Sequence, residues 1–144
     1  MTRTQQEMDA TPDQVWKVLA DGWLYPCWVV GATRMRDVEA DWPAPGAKLH
    51  HSVGVWPATI DDDTEVVESV AGHLLRLRAR AWPAGEAEVV LHIEARGTGS
   101  LVTIEEDVVT GPATLMPAPA RAVALQVRNR ETLRRLGWMA ERRV

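Results

Sequence analysis

Residues 75–96 read LRLRARAWPAGEAEVVLHIEAR, and their period decides the fold class. Leu75, Leu77, Ala79 and Ala81 alternate with Arg76, Arg78 and Arg80. Ala87, Val89, Leu91, Ile93 and Ala95 then alternate with Glu86, Glu88, His92, Glu94 and Arg96. An apolar row opposite a charged row at period two is the pattern of a strand with one wet face. Pro83-Ala84-Gly85 supplies turn chemistry between the two rows. The pair therefore reads as an antiparallel hairpin in which the Arg row meets the Glu row across the strands.

The same period marks strands at 32–39, 47–56 and 64–70, and a last strand at 100–109 after the turn Gly97-Thr98-Gly99. The loop DWPAPG at 41–46 is a turn, and Asp61-Asp62-Asp63 reads as a turn or bulge between strands. Residues 2–8 alternate weakly, as an edge strand does. Thr11-Pro12-Asp13-Gln14 is a helix start, with Thr as N-cap, Pro at N1 and Gln at N3 to close a capping box. Its helix ends near Asp21-Gly22, and residues 23–30 predict a second short helix broken at Pro26. After the Pro-rich connector 110–119, a helix runs to about residue 142. Its apolar stripe is Ala122, Leu125, Asn129, Leu133, Leu136 and Ala140, with Arg128, Arg130, Arg134, Arg135 and Arg142 off the stripe. No repeat or composition shift divides the chain, so residues 1–144 are expected to form one α+β domain.

Composition narrows the function classes. The apolar runs are short and broken by charge, so no membrane span is expected. Residues 1–10 contain no apolar core of a secretory signal, which makes the cytoplasm the expected location. One Cys among 144 residues leaves neither a disulfide framework within one chain nor a cysteine zinc site. Net charge is −4, unevenly placed: residues 119–144 carry seven Arg against Glu131 and Glu141. That helix is expected to show arginines to solvent and to pair some with the acidic body. With no nucleic-acid motif present, no nucleic-acid partner is expected. Phosphate-binding glycine loops, nucleophile elbows and zinc-protease motifs are absent, so neither a cofactor nor a metal is expected. Asp61-Asp62-Asp63 lacks the glycine and terminal glutamate of a calcium loop.

The order strand, two short helices, antiparallel strands and long C-terminal helix resembles the helix-grip architecture of the START-like (SRPBCC) superfamily. Local text agrees: Thr11-Pro12-Asp13-Gln14-Val15-Trp16, Trp28-Val29-Val30-Gly31-Ala32, Trp42-Pro43-Ala44-Pro45-Gly46 and His50-His51-Ser52-Val53-Gly54 are similar to a bacterial, polyketide cyclase/dehydrase-like branch. So are Glu105-Glu106-Asp107 and Arg128-Asn129-Arg130-Glu131-Thr132-Leu133. The resemblance implies a strongly curved sheet wrapped around the long helix, with a cavity between them. The superfamily includes lipid carriers, receptors and cyclases, so the fold does not fix one role.

Polar residues on inward faces are the candidates for chemistry in such a cavity. Glu106 shares a face with Val102, Ile104 and Val108, where a carboxylate is costly unless paired. It is read as a general base or polar anchor, or else as a residue that bends to water or pairs with an arginine. His51 shares a face with Leu49, Val53 and Val55 and is read as a proton shuttle or as a hydrogen-bonded core residue. Asn129 interrupts the helix stripe, to anchor a ligand or to cap a neighbouring strand. Trp28, Trp56 and Met116 are candidate walls and lid, with Val53, Ile104 and Leu125 as apolar lining. Three readings follow. One is a carrier or sensor of a hydrophobic or aromatic small molecule. Another is a cyclase or dehydratase in which Glu106 and His51 exchange protons with substrate. The third is an interaction module working through a groove or a homodimer face.

Overall fold

The computed structural model describes residues 2–30, 32–55, 58–81 and 85–142, with the side chains at 33, 53–55, 58–60 and 81 outside the description. The strands are β1 (Thr2–Met8), β2 (Ala32–Val38), β3 (Lys48–Val55), β4 (Ala58–Val70), β5 (Leu74–Ala81), β6 (Gly85–Arg96) and β7 (Gly99–Thr110). They form one antiparallel sheet in the order β1-β7-β6-β5-β4-β3-β2. The helices are α1 (Pro12–Ala20), α2 (Tyr25–Trp28) and α3 (Ala118–Arg142), with 3-10 turns at Gly22–Leu24 and Pro112–Leu115. This is the helix-grip α+β fold.

The hairpin pairs as its pattern demands, Leu75 opposite Leu91 and Leu77 opposite Val89. The rows continue inward, Leu91 onto Ile104 and Val89 onto Glu106 of β7. On the wet face Arg78 pairs with Glu86 at 3.4 Å, Arg80 with Glu86 at 3.3 Å, and Arg76 with Glu88. Register shifts interrupt the β2–β3, β4–β5 and β6–β7 ladders. Extra residues of this kind bend and twist a strand, which gives the sheet its curvature.

α1 carries the full capping box: Thr11 Oγ1 accepts from the Gln14 N–H at 3.2 Å, and Gln14 Oε1 accepts from the Thr11 N–H at 2.7 Å. α3 buries Leu125, Asn129, Thr132, Leu133, Leu136, Gly137 and Ala140. The spacing is helical, and this face packs on β1, α1 and α2. Gly137 permits the close approach to β1, because a Cβ there would lie 3.0 Å from Gln6 Nε2 and 3.2 Å from Met8 Cγ. No helix among the described residues is long and apolar enough to cross a membrane.

Two local expectations are corrected. Pro26 does not break a helix but stands in the first turn of α2, where its missing N–H costs nothing. Asp61, Asp62 and Asp63 lie inside β4, paired in register with Ser52, His51 and His50 of β3. Cationic and hydroxyl partners make an acidic strand tolerable there: Ser52 donates to Asp61 at 2.8 Å, Arg36 lies 3.5 Å from Asp61, and Arg80 lies 3.8 Å from Asp63. The Arg-rich helix meets its expectation in part through Arg121, which pairs with Asp107 at 2.9 Å.

Candidate functional site

A cavity of about 50 Å3 lies between the sheet and α3. Its sheet wall is Leu77, Val89, Leu91 and Ile104, and Trp28 and Val29 close it at the end of α2. Polar groups enter from Tyr25, Glu106, Arg128, Asn129 and Thr132. Glu106 is 2% exposed and accepts a hydrogen bond from the Arg128 guanidinium, whose side chain remains 37% exposed. Arg128 thus reaches from solvent to the cavity with its charge neutralised by Glu106.

Three buried N–H groups on this lining have no partner among the described residues: Trp28 Nε1, Arg128 Nε and Asn129 Nδ2. Trp28 and Asn129 are each only 2% exposed. An unsatisfied buried donor costs about 1–3 kcal/mol. Three such donors thus share one small apolar-walled space.

A second polar cluster stands behind Tyr25. Its ring meets Trp28 edge-on at 5.3 Å and stacks on His51 at 5.5 Å. Tyr25 Oη and Thr64 Oγ1 lie 3.3 Å apart, and His51 Nε2 lies 2.8 Å from the same Thr64 oxygen. Burial pushes the Tyr25 phenol pKa up, so it stays neutral. Burial pushes the His51 imidazole down, against the pull of Asp62 and Asp63 and with the help of Arg36 and His50.

A family described as polyketide cyclase / dehydrase and lipid transport matches residues 1–137. The chain belongs to this family. No curated protein matches the sequence. Protein NE0264 from Nitrosomonas europaea is 14% identical with a TM-score of 0.69, over 96% of this chain and 92% of that one. Ara h 8.0201 is 10% identical with a TM-score of 0.72, over 96% of this chain and 95% of that one. StfQ, a di-domain ARO/CYC from the steffimycin biosynthetic pathway, is 12% identical with a TM-score of 0.72, over 96% of this chain and 49% of that one. At these identities the likeness is one of fold.

In this polyketide cyclase/dehydrase-family chain, four of the candidates from sequence come together on the cavity: Glu106, Trp28, Ile104 and Asn129. Leu125 is buried on α3, one turn before Asn129, outside the described lining. His51 is 2% exposed but is likewise outside the described lining, with its ring against Tyr25. Met116 is 45% exposed on the connector, away from the lining, because the 3-10 turn at Pro112–Leu115 carries the chain over the surface. Trp56 and the side chain of Val53 lie outside the described residues. Arg128, Tyr25 and Thr132 were missed by the sequence reading. Arg128 sits beside Asn129 on the helix, and a buried Glu106 in need of a cation is the signal that points to it.

A larger groove of about 400 Å3 opens on the outer side of α3, lined by Gln6, Glu131, Arg134, Arg135, Trp138 and Glu141. Three of its charges satisfy one another, Glu131 receiving Arg134 at 2.9 Å and Arg135 at 3.0 Å. This groove exceeds the inner cavity in volume, but the unpartnered donors and the apolar wall favour the inner cavity as the candidate site.

Proposed function

We propose that this protein binds a hydrophobic or aromatic small molecule between the sheet and α3, as a carrier or sensor. The observation that carries the reading is the convergence on an apolar-walled cavity of three buried donors that have no partner among the described residues. Apolar walls with a few placed polar groups are the usual composition of a ligand site. The present volume has room for a few waters at about 10–15 Å3 each, or for one polar head group. Pockets for drug-sized ligands measure about 300–1,000 Å3. The molecule's body therefore enters by displacing part of the wall. α2 is the element to move: four residues long, without a side-chain cap, and carrying Trp28.

The acid–base reading draws less support. Glu106 is engaged by Arg128, and His51 is engaged by Thr64 behind Tyr25, so the two do not share one open space among the described residues. Titration of the intrinsic tryptophan fluorescence with a panel of hydrophobic and aromatic compounds tests the proposal. The expected result is a saturable change that is lost in Trp28→Phe. Silence across the panel, or a change that survives Trp28→Phe unaltered, contradicts it.

A further inference from the structure

We propose that the cavity selects an uncharged oxygen acceptor, a carbonyl group on an aromatic or alicyclic body, and that Glu106 sets this selectivity by occupying the charge of Arg128. The inference rests on the binding reading above and adds the chemical class of the ligand.

The unpartnered groups on the lining are all donors. Trp28 Nε1, Asn129 Nδ2 and Arg128 Nε all donate, and none has an acceptor among the described residues. The complement of clustered N–H groups is an oxygen with free lone pairs. A carbonyl offers two lone pairs and brings no proton that needs a partner of its own. A hydrocarbon leaves every donor unsatisfied, which costs the desolvation of each.

The charges on the lining are already balanced. Arg128 is the one cation among the described lining residues, and the buried Glu106 carboxylate already neutralises it. Tyr25, Asn129 and Thr132 add no charge, and the remaining described lining is apolar. A ligand carboxylate would bring a second negative charge beside Glu106 with no second cation to receive it. Like charges in a dry site repel strongly, and removing an unpaired carboxylate from water is expensive. A guanidinium alone would have made an anion site. Paired with Glu106, it keeps a free Nε–H but no free charge.

The test uses three probes of matched shape: acetophenone, benzoate and ethylbenzene. Affinities are read by calorimetry, and occupancy of the cavity by the Trp28 indole N–H resonance, assigned by its loss in Trp28→Phe. Acetophenone is expected to bind about tenfold tighter than ethylbenzene for each donor satisfied and to shift the Trp28 indole resonance. Benzoate is expected to bind at least about tenfold more weakly than acetophenone. In Glu106→Gln the order reverses, and benzoate becomes the tightest of the three. Equal binding of ethylbenzene and acetophenone in the cavity overturns the acceptor argument and leaves the binding reading intact. Benzoate tightest in the natural protein, or unchanged in a folded Glu106→Gln, overturns the charge argument. Absence of binding by all three overturns the binding reading and this inference with it. The natural-protein ranking needs no variant, so it decides the proposal even if Glu106→Gln does not fold.

Discussion

Replacing Arg128 by Met keeps an unbranched apolar stem and removes the guanidinium from Glu106. Glu106 is 2% exposed and its carboxylate receives no other side-chain hydrogen bond shown among the described residues. Removing one partner of a buried ion pair costs about 3–5 kcal/mol, chiefly because the survivor is left charged and dry. Arg128 is 37% exposed, so solvent already screens part of the pair and the expected loss falls to about 2–3 kcal/mol. At this chain length that lowers Tm by about 8–12 °C. Replacing both residues, with Glu106→Leu and Arg128→Met together, removes the orphaned charge and should restore stability to within about 1 kcal/mol of the natural protein. Urea unfolding of the two single variants and the double, followed by circular dichroism, gives the full cycle. If Arg128→Met alone stays within about 0.5 kcal/mol of the natural protein, Glu106 is not held by Arg128 and the charge argument fails.

Other consequences follow from single contacts. Asn129→Leu removes a buried donor without a partner among the described residues, so it should raise unfolding stability by about 1 kcal/mol while cutting the preference for acetophenone over ethylbenzene by about tenfold. A stabilised variant that keeps the preference would show that Asn129 does not meet the ligand. Thr11→Ala loses the capping-box bond that Thr11 Oγ1 accepts from the Gln14 N–H and should cost about 1 kcal/mol in urea unfolding. His51 has a folded pKa below its ordinary 6.5 through burial, so the unfolded chain takes up the proton first. Its stabilising contribution is therefore present above that value and lost as pH falls through the folded pKa. The difference in unfolding free energy between neutral and mildly acidic solution should shrink in His51→Gln; an unchanged difference would mean that His51 is not the group responsible.

The sequence was most legible where one local rule sufficed. The Thr11–Gln14 capping box, the Arg and Glu rows of β5 and β6 and the α3 stripe through Asn129 all lie where periodicity or capping places them. The inward position of Glu106 and the burial of His51 follow from strand parity alone. Parity could not say that two buried groups belong to different clusters, because that depends on Tyr25 standing against His51 while lining the cavity. Arg128 escaped for a related reason. Off-stripe arginines on an amphipathic helix normally meet water, and a long side chain at the edge of the stripe can turn inward to a charge on another element. Asp61-Asp62-Asp63 misled because acidic triplets favour turns when read alone. In the fold, Arg36, Arg80 and Ser52 come from other strands to hold them in β4.

Intermolecular nuclear Overhauser effects from bound acetophenone report where the molecule sits. Contacts to the Leu77, Leu91 and Ile104 methyl groups and to the Trp28 ring are the predicted result, since these side chains wall the inner cavity. Contacts confined to Trp138 and Gln6 would place the ligand in the outer groove and contradict the account.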